Sequence, residues 1–80
     1  MIYKQIDPVA TGKRIKSLCK ERGLTVRELQ ARMGIVSRSS IFKWMRGASI
    51  PTVDNLVLLA DILGVTVDKI IVTKEGPTKE

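Results

Sequence analysis

The sequence of 80 residues contains no histidine and a single cysteine, Cys19. Histidine is the usual general base and the commonest metal ligand, so its absence removes the groups on which most catalytic and metal sites depend. Ser37, Ser39 and Ser40 have no histidine partner that would complete a catalytic triad. The sequence therefore predicts that the protein is not an enzyme and that it holds no metal or cofactor.

Aromatic residues and long apolar runs are also scarce. The chain has one Phe, one Trp and one Tyr, and no stretch approaches the roughly 18 apolar residues that a membrane helix needs. One cysteine cannot form an internal disulfide, which fits a reducing compartment. We therefore expect a soluble cytoplasmic protein that is not bound to membranes. Its single modest core would consist of Leu, Ile, Val and Met, a composition that suits packed helices.

The charged residues are unevenly distributed along the chain. Residues 1–46 contain eleven Lys or Arg and three Asp or Glu, whereas residues 47–80 contain three and five. The net charge of +6 therefore comes from the first half of the chain. A basic half joined to a nearly neutral half attracts polyanions to one side and favours a nucleic acid as the partner.

Residues that favour helix ends recur along the sequence. Glycine, which tolerates the left-handed conformation after a helix, follows four segments of helical periodicity, at Gly23, Gly34, Gly47 and Gly64. Residues with N-capping side chains precede five segments, at Asp7, Thr25, Ser37, Thr52 and Thr66. We predict five helices, over residues 8–22, 26–33, 38–45, 53–63 and 67–71. They would form one domain over residues 7–73, between an N-terminal extension (1–6) and a flexible tail (74–80).

The third predicted helix, over residues 38–45, follows the second after a short link, which is the helix-turn-helix arrangement. Its spacing places Ile41, Trp44 and Met45 on an inner side, with Trp44 as a core anchor. The opposite side carries Arg38, Ser39, Phe42, Lys43 and Arg46. The guanidinium of Arg38 can pair with O6 and N7 of guanine, whereas Lys43 can reach a base or a phosphate or remain an ordinary surface lysine.

Phe42 is unusual on a basic helix face. Its ring can contact the methyl group of a thymine in the major groove of DNA. It can equally lean over the rim of the core, against the fourth helix, because single exposed apolar residues are normal on protein surfaces. The sequence leaves both interpretations open.

The chain resembles the Cro and phage-repressor type of helix-turn-helix protein, also called the Xre family, in three consecutive segments: GLTVRELQARMG, VSRSSIFKWMRG and IPTVDNLVLLADILGVTVDKII. The resemblance spans about residues 9–72. It implies an all-α compact five-helix bundle, the lambda-repressor-like DNA-binding domain, which binds operator DNA and is usually dimeric. The third helix would lie in the major groove, with the second across the DNA backbone. Ser37 matches a position that contacts phosphate, and Arg38, Ser39 and Lys43 match positions that read bases.

Three positions depart from the pattern of that family. One more residue than usual separates Gly34 from Ile41, which predicts a wider turn. Gln30 stands where the family usually has an alanine packed between the second and third helices. Val26 stands where the family usually has a polar residue, often glutamine, that contacts the DNA backbone.

Together these features predict a sequence-specific regulator of transcription that binds double-stranded DNA and acts as a repressor by blocking polymerase. The predicted DNA contacts are Ser37, Arg38, Ser39, Phe42, Lys43 and Arg46. Surplus apolar residues in the fourth helix, Val57, Leu58 and Ile62, either pack under the fifth helix or the termini or form a dimer surface. The resemblance favours a homodimer formed through the region of the fourth and fifth helices. No small-molecule ligand is expected. Two alternatives stay open: the DNA-binding antitoxin of a toxin–antitoxin pair, and an interaction bundle that has lost DNA binding.

Overall fold

The computed structural model describes residues 3–76, which form five helices and two short strands. In chain order these are β1 (Tyr3–Ile6), α1 (Pro8–Glu21), α2 (Val26–Met33), α3 (Arg38–Met45), α4 (Val53–Leu63), α5 (Val67–Ile70) and β2 (Thr73–Gly76). The five predicted helices are confirmed, although α1 and α5 each end one residue earlier than predicted. The all-α five-helix bundle is confirmed as well, with a two-stranded sheet as a small addition.

Side-chain caps determine where the first four helices begin. The Asp7 carboxylate accepts a hydrogen bond from the backbone N–H three residues later, at 3.0 Å. Thr25 and Glu28 form a reciprocal capping box, in which each side chain accepts from the other residue's backbone N–H, at 3.1 and 3.0 Å. The predicted caps of α3 and α4 accept in the same way. The fifth predicted cap, Thr66, makes no such bond to the backbone of α5.

The prediction of a flexible tail is wrong for residues 74–76, which belong to a strand. β2 pairs antiparallel with β1, so that Lys4 stands opposite Glu75 and Ile6 stands opposite Thr73. Residues 3–6 of the predicted N-terminal extension supply the partner strand. A short polar strand depends on its cross-strand partner, so its own sequence carries little signal. Residues 1–2 and 77–80, the rest of these two predicted segments, lie outside the described residues.

A buried threonine connects the sheet to the helices. Thr11 on α1 is 1% exposed. Its Oγ1 donates a hydrogen bond to the carbonyl oxygen of Val72 at 3.3 Å and accepts one from the Val72 N–H at 3.0 Å. The Asp7 N–H donates to the same carbonyl at 2.8 Å. The start of α1 therefore holds the chain in place just before β2.

The core is one cluster of twelve buried apolar residues that draws on all five helices. Its members are Ile15, Leu18, Cys19, Leu29, Met33, Ile41, Trp44, Leu56, Leu59, Ala60, Leu63 and Ile70. Cys19 is 3% exposed, and burial raises the pKa of its thiol, so it packs as a small apolar residue. Within residues 3–76 no helix is both long and apolar enough to cross a membrane.

Backbone contact fixes the position of α3 against α1. A Cβ atom added to Gly12 would collide with the carbonyl oxygen of Trp44 and would lie 2.7 Å from that of Met45. No side chain fits in this space, so the glycine on α1 allows the two helices to touch. Since Trp44 and Ile41 also enter the core, α3 is held on its inner side by backbone and side chains together.

Two arginines bind the carbonyl ends of other helices. The Arg14 Nη1 donates to the Lys69 carbonyl oxygen at 2.7 Å, and the Arg22 Nε donates to the Leu63 carbonyl oxygen at 2.7 Å. These carbonyls lie at the C-terminal ends of α5 and α4, where a helix dipole is negative and a cation is stabilising. Two of the eleven cations among residues 1–46 therefore serve the fold.

Candidate nucleic-acid interface

Helices α2 and α3 are joined by residues 34–37 in a helix-turn-helix. Gly34 follows α2 with a φ of +80°, and its N–H donates to the Gln30 carbonyl oxygen at 3.0 Å. A positive φ of this size favours glycine, which has no Cβ to clash. Ser37 then begins α3, because its Oγ accepts from the Ser40 N–H at 3.1 Å. The turn is thus defined by hydrogen bonds at both of its ends.

The helix α3 has one buried and one exposed face, as the sequence predicts. Ile41 is fully buried and Trp44 is 5% exposed, which confirms both as core residues. The opposite face, called the α3 outer face below, consists of the exposed residues Arg38, Ser39, Phe42, Lys43 and Arg46. Ser37 is exposed at the start of the same helix. All six predicted contact residues are therefore accessible on α3 and its cap.

Phe42 borders a groove between α1, α2 and α3, and its side chain is 47% exposed. The groove has a volume of about 560 Å³. It is lined by Lys16, Cys19, Lys20, Leu24, Thr25, Val26, Phe42, Met45 and Arg46. These residues belong to the first three helices, to the link before α2 or, in the case of Arg46, to the C-cap of α3, and no residue of α4 lines the groove. The ring of Phe42 therefore borders a groove shared with α1 and α2. Its contact with a thymine stays a prediction.

The charges around this groove all have the same sign. Lys16, Lys20 and Arg46 line it, and no lining residue is acidic. Its apolar part includes Val26, which is half-buried and packs against the core. A valine at the start of α2 therefore lines the groove with an apolar side chain and offers no polar group to a ligand. The arrangement is an apolar floor beside cations, next to the α3 outer face.

One side-chain hydrogen bond joins the two helices of the motif. The Arg38 Nε donates to the Gln30 Oε1 at 3.2 Å. Arg38 is the first residue of α3, where the helix dipole disfavours a cation, and the first turn of α3 contains no acidic residue. The sequence marked Gln30 only as a replacement for a small packed residue. Its role as an acceptor was missed, because the signal depends on how the turn brings two distant residues together.

The acidic groups in the described part of the chain do not gather into a metal site. Among residues 3–76 no group of three or more His, Cys, Asp or Glu residues could hold a metal ion. The carboxyl of Glu28 has a lowered pKa because the Thr25 backbone and side chain donate hydrogen bonds to it, so it is committed to the capping box. The α3 outer face, in contrast, presents exposed hydrogen-bond donors on Arg38, Ser39, Lys43 and Arg46.

Comparisons with known proteins identify relatives of this fold. A family model described as helix-turn-helix matches residues 15–70. The restriction-modification controller protein C.AhdI from Aeromonas hydrophila is similar in structure, with 26% sequence identity and a TM-score of 0.74 over 80% of this chain and 96% of that chain. The DNA-binding domain of BldD from S. venezulae has 23% identity and a TM-score of 0.71 over 81% of this chain and 96% of that chain. No curated protein matches.

The range that the family model matches contains the helix-turn-helix and the core. Residues 15–70 begin within α1 and end with α5, so they include the whole helix-turn-helix and all twelve residues of the core. The BldD domain, at 23% identity, establishes a common fold. The two strands at the ends of the chain lie outside the range that the family model matches.

Proposed function

The chain belongs to the Cro and phage-repressor type of helix-turn-helix family, the Xre family of DNA-binding transcription regulators, and from this premise we propose that it is a sequence-specific repressor. In this proposal α3 lies in the major groove of double-stranded DNA and α2 lies across the backbone. The repressor blocks polymerase by occupying its operator. The similarity to a protein named as a restriction-modification controller supports a regulatory role.

The observation that carries the proposal is the division of α3 into two faces. Ile41 and Trp44 hold the helix in the core, while Gly12 allows its backbone to rest on α1. The donors of the α3 outer face point away from this rigid support. A recognition helix needs this combination, because base contacts require donors that are held in a fixed position.

The residues of the outer face have different proposed roles. Arg38 pairs with a guanine, and Ser39 and Lys43 contact neighbouring bases. Ser37 contacts a phosphate at the start of the helix, where the N-terminal dipole favours an anion. Phe42 contacts the methyl group of a thymine. Its position supports this role, because the ring lines the groove and is still 47% exposed to a ligand.

The cations along the groove would contact the DNA backbone. Lys16, Lys20 and Arg46 carry a positive charge next to the recognition helix, with no acidic residue in the groove lining. Each contact with a phosphate releases counterions and adds affinity without sequence information. The half-buried Val26 offers no polar group, so these cations take over the positioning role that a polar residue has at that place in the family.

We further propose a homodimer that uses the exposed side of α4. Val53 and Val57 lie one turn apart on α4 and are 75% and 57% exposed, so together they form an apolar pair on its outer side. Leu58 and Ile62 pack against the core, so they contribute less to an outer surface than the sequence suggested. A two-fold dimer would place two α3 helices about one turn of DNA apart. Sedimentation with a bound duplex should then give two chains per site, and one chain per saturated site would contradict the dimer.

Selection from a randomised duplex library tests the function directly. We expect the protein to enrich one sequence with two half-sites about 10 base pairs apart. Affinity for it should fall by about 1000-fold or more between about 50 and 200 mM salt, because the three groove cations of each protomer in a dimer would together contact about six phosphates. Placing the selected site over a promoter should lower transcription by purified polymerase. No binding to any duplex at low salt would reject the proposal and favour an interaction bundle.

A further inference from the structure

Gln30 and Arg38 meet across the turn of the helix-turn-helix. The hydrogen bond from the Arg38 Nε to the Gln30 Oε1 measures 3.2 Å. Gln30 is half-buried in the last turn of α2, whereas Arg38 is exposed at the start of α3. The anchored end of the contact is therefore the glutamine, and the end that faces solvent is the arginine.

The hydrogen bond determines which atoms of Arg38 remain for a ligand. A guanidinium has five N–H donors, one on Nε and two on each Nη atom. Because Nε is engaged by Gln30, the parallel donors left for a bidentate contact are those of Nη1 and Nη2. A guanine presents O6 and N7 as two adjacent acceptors, which match such a fork. Bidentate contacts through the Nε edge are excluded while the hydrogen bond persists.

From this geometry we infer that Gln30 is a positioning residue, which holds Arg38 so that its Nη1 and Nη2 atoms read one guanine. The inference rests on the proposed function, since it specifies how one residue of the recognition helix reaches a base. A free arginine side chain populates many rotamers, and ordering it on binding costs affinity. A partner that orders the side chain before DNA arrives lowers this cost and restricts the angle of approach.

The amide side chain of Gln30 is chemically suited to hold Arg38. An acidic residue at position 30 would bind Arg38 more strongly, but its negative charge would also repel DNA phosphates. An alanine, the usual residue of the family at this place, would offer no acceptor. The glutamine amide supplies a neutral oxygen that orients the guanidinium and leaves its positive charge available for the guanine.

The experiment measures binding of variants to one duplex and its single-base substitutions. The probe is the duplex that the wild-type protein selects from a randomised library, with every base pair replaced in turn. We expect Arg38→Ala to abolish the preference at one guanine. Gln30→Ala should weaken the preference at that same base pair by about three- to tenfold, the size of one hydrogen bond. Preferences at the other base pairs should stay unchanged.

The double variant separates positioning from a general structural effect. If Gln30 acts through Arg38, then Gln30→Ala in the Arg38→Ala background changes nothing further at that base pair. Gln30→Glu keeps an accepting oxygen, so it should retain the guanine preference while lowering affinity for every sequence. The matched control is Gln5→Ala, which makes the same chemical change on β1 and should leave all preferences intact.

The outcomes distinguish this inference from the proposed function. Guanine preference that is unaffected by Gln30→Ala, or that falls equally in the presence and absence of Arg38, would overturn the positioning role while sequence-specific binding persisted. Failure of the wild-type protein to select any sequence would overturn both. A preference weakened by about three- to tenfold at the guanine read by Arg38, with no change in the melting temperature of Gln30→Ala, would support the inference.

Discussion

Arginine stands at opposite kinds of helix end in two regions of this molecule. On the side of α4 and α5, Arg14 and Arg22 donate to carbonyl oxygens at helix C-termini, where the dipole favours a cation. On the side of α2 and α3, Arg38 stands at a helix N-terminus, where the dipole disfavours one. The first pair stabilises the fold, and the second position has no such benefit. A cation at the unfavourable end of a helix is therefore the better indicator of a ligand.

The largest expected effect is at the contact between α1 and α3. Gly12→Ala places a Cβ against the carbonyl oxygens of Trp44 and Met45, which are backbone atoms that cannot move aside. We expect a loss of about 3 kcal/mol or more in the free energy of unfolding, measured by urea titration. Gly23→Ala is the control, because it strains a backbone with a φ of +68° but meets nothing within 4 Å. Equal losses in the two variants would contradict close packing of α1 on α3.

The next largest effect on the free energy of unfolding is expected at Thr11, which holds the chain in place just before β2. Thr11→Val keeps the shape of a buried side chain but removes its hydrogen bonds with Val72. We expect a loss of about 1–3 kcal/mol in the free energy of unfolding, because the part-buried Val72 N–H loses its acceptor. The preference of the protein for particular bases in the duplex should not change. Thr73→Val, at an exposed position of β2, should have little effect on either quantity.

A smaller effect, on base preference, is expected at Phe42 in the region of α2 and α3. If the ring contacts a thymine methyl group, Phe42→Ala should reduce the preference for thymine over uracil at one position by about fourfold, the value of one buried methyl group. The variant should fold normally, because the ring is already 47% exposed. A clear fall in melting temperature with unchanged thymine preference would instead make Phe42 a residue of the core rim.

The smallest effect is expected at the start of α2. The Thr25 backbone and side chain hold the pKa of Glu28 below its ordinary value, so folding favours the ionised carboxylate. This stabilisation is complete above the ordinary pKa and is lost as pH falls through the lowered value. Glu28→Gln keeps an acceptor but removes the titration. Unfolding measured from neutral to acidic pH should therefore show a flatter pH dependence in the variant than in the wild type, and identical curves would contradict the lowered pKa.

Local sequence patterns predict the helices well and the sheet poorly. Asp7, Thr25 and Gly34 act on their own neighbours, so their effect can be read from the sequence around them. The pairing of β1 with β2 joins distant parts of the chain, and the weak alternation of residues 1–6 indicates an extended segment without indicating its partner. The same limit applies to Thr11, whose partner lies 61 residues away.

The candidate site divides in a similar way. Helical periodicity predicts which residues of α3 are exposed, because Ile41 and Trp44 define the inner face. It does not predict that Gln30 binds Arg38 or that Arg22 binds a carbonyl of α4, since both contacts depend on how helices pack. Counting cations in the sequence therefore overestimates the number of side chains that are free to contact DNA. The packed structure is needed to separate arginines that bind helix carbonyls from those that face solvent.

The most direct test of the account compares Arg38→Ala with Arg22→Ala on the same panel of single-base variants of the selected duplex, with melting curves alongside. Arg38→Ala should reduce discrimination at one guanine by about 1–3 kcal/mol, or roughly 5- to 150-fold, with an unchanged melting temperature. Arg22→Ala should lower the melting temperature and leave every base preference intact, because its partner is a helix end. Equal losses of affinity on all sequences for Arg38→Ala would show that α3 does not read bases, and would contradict the account.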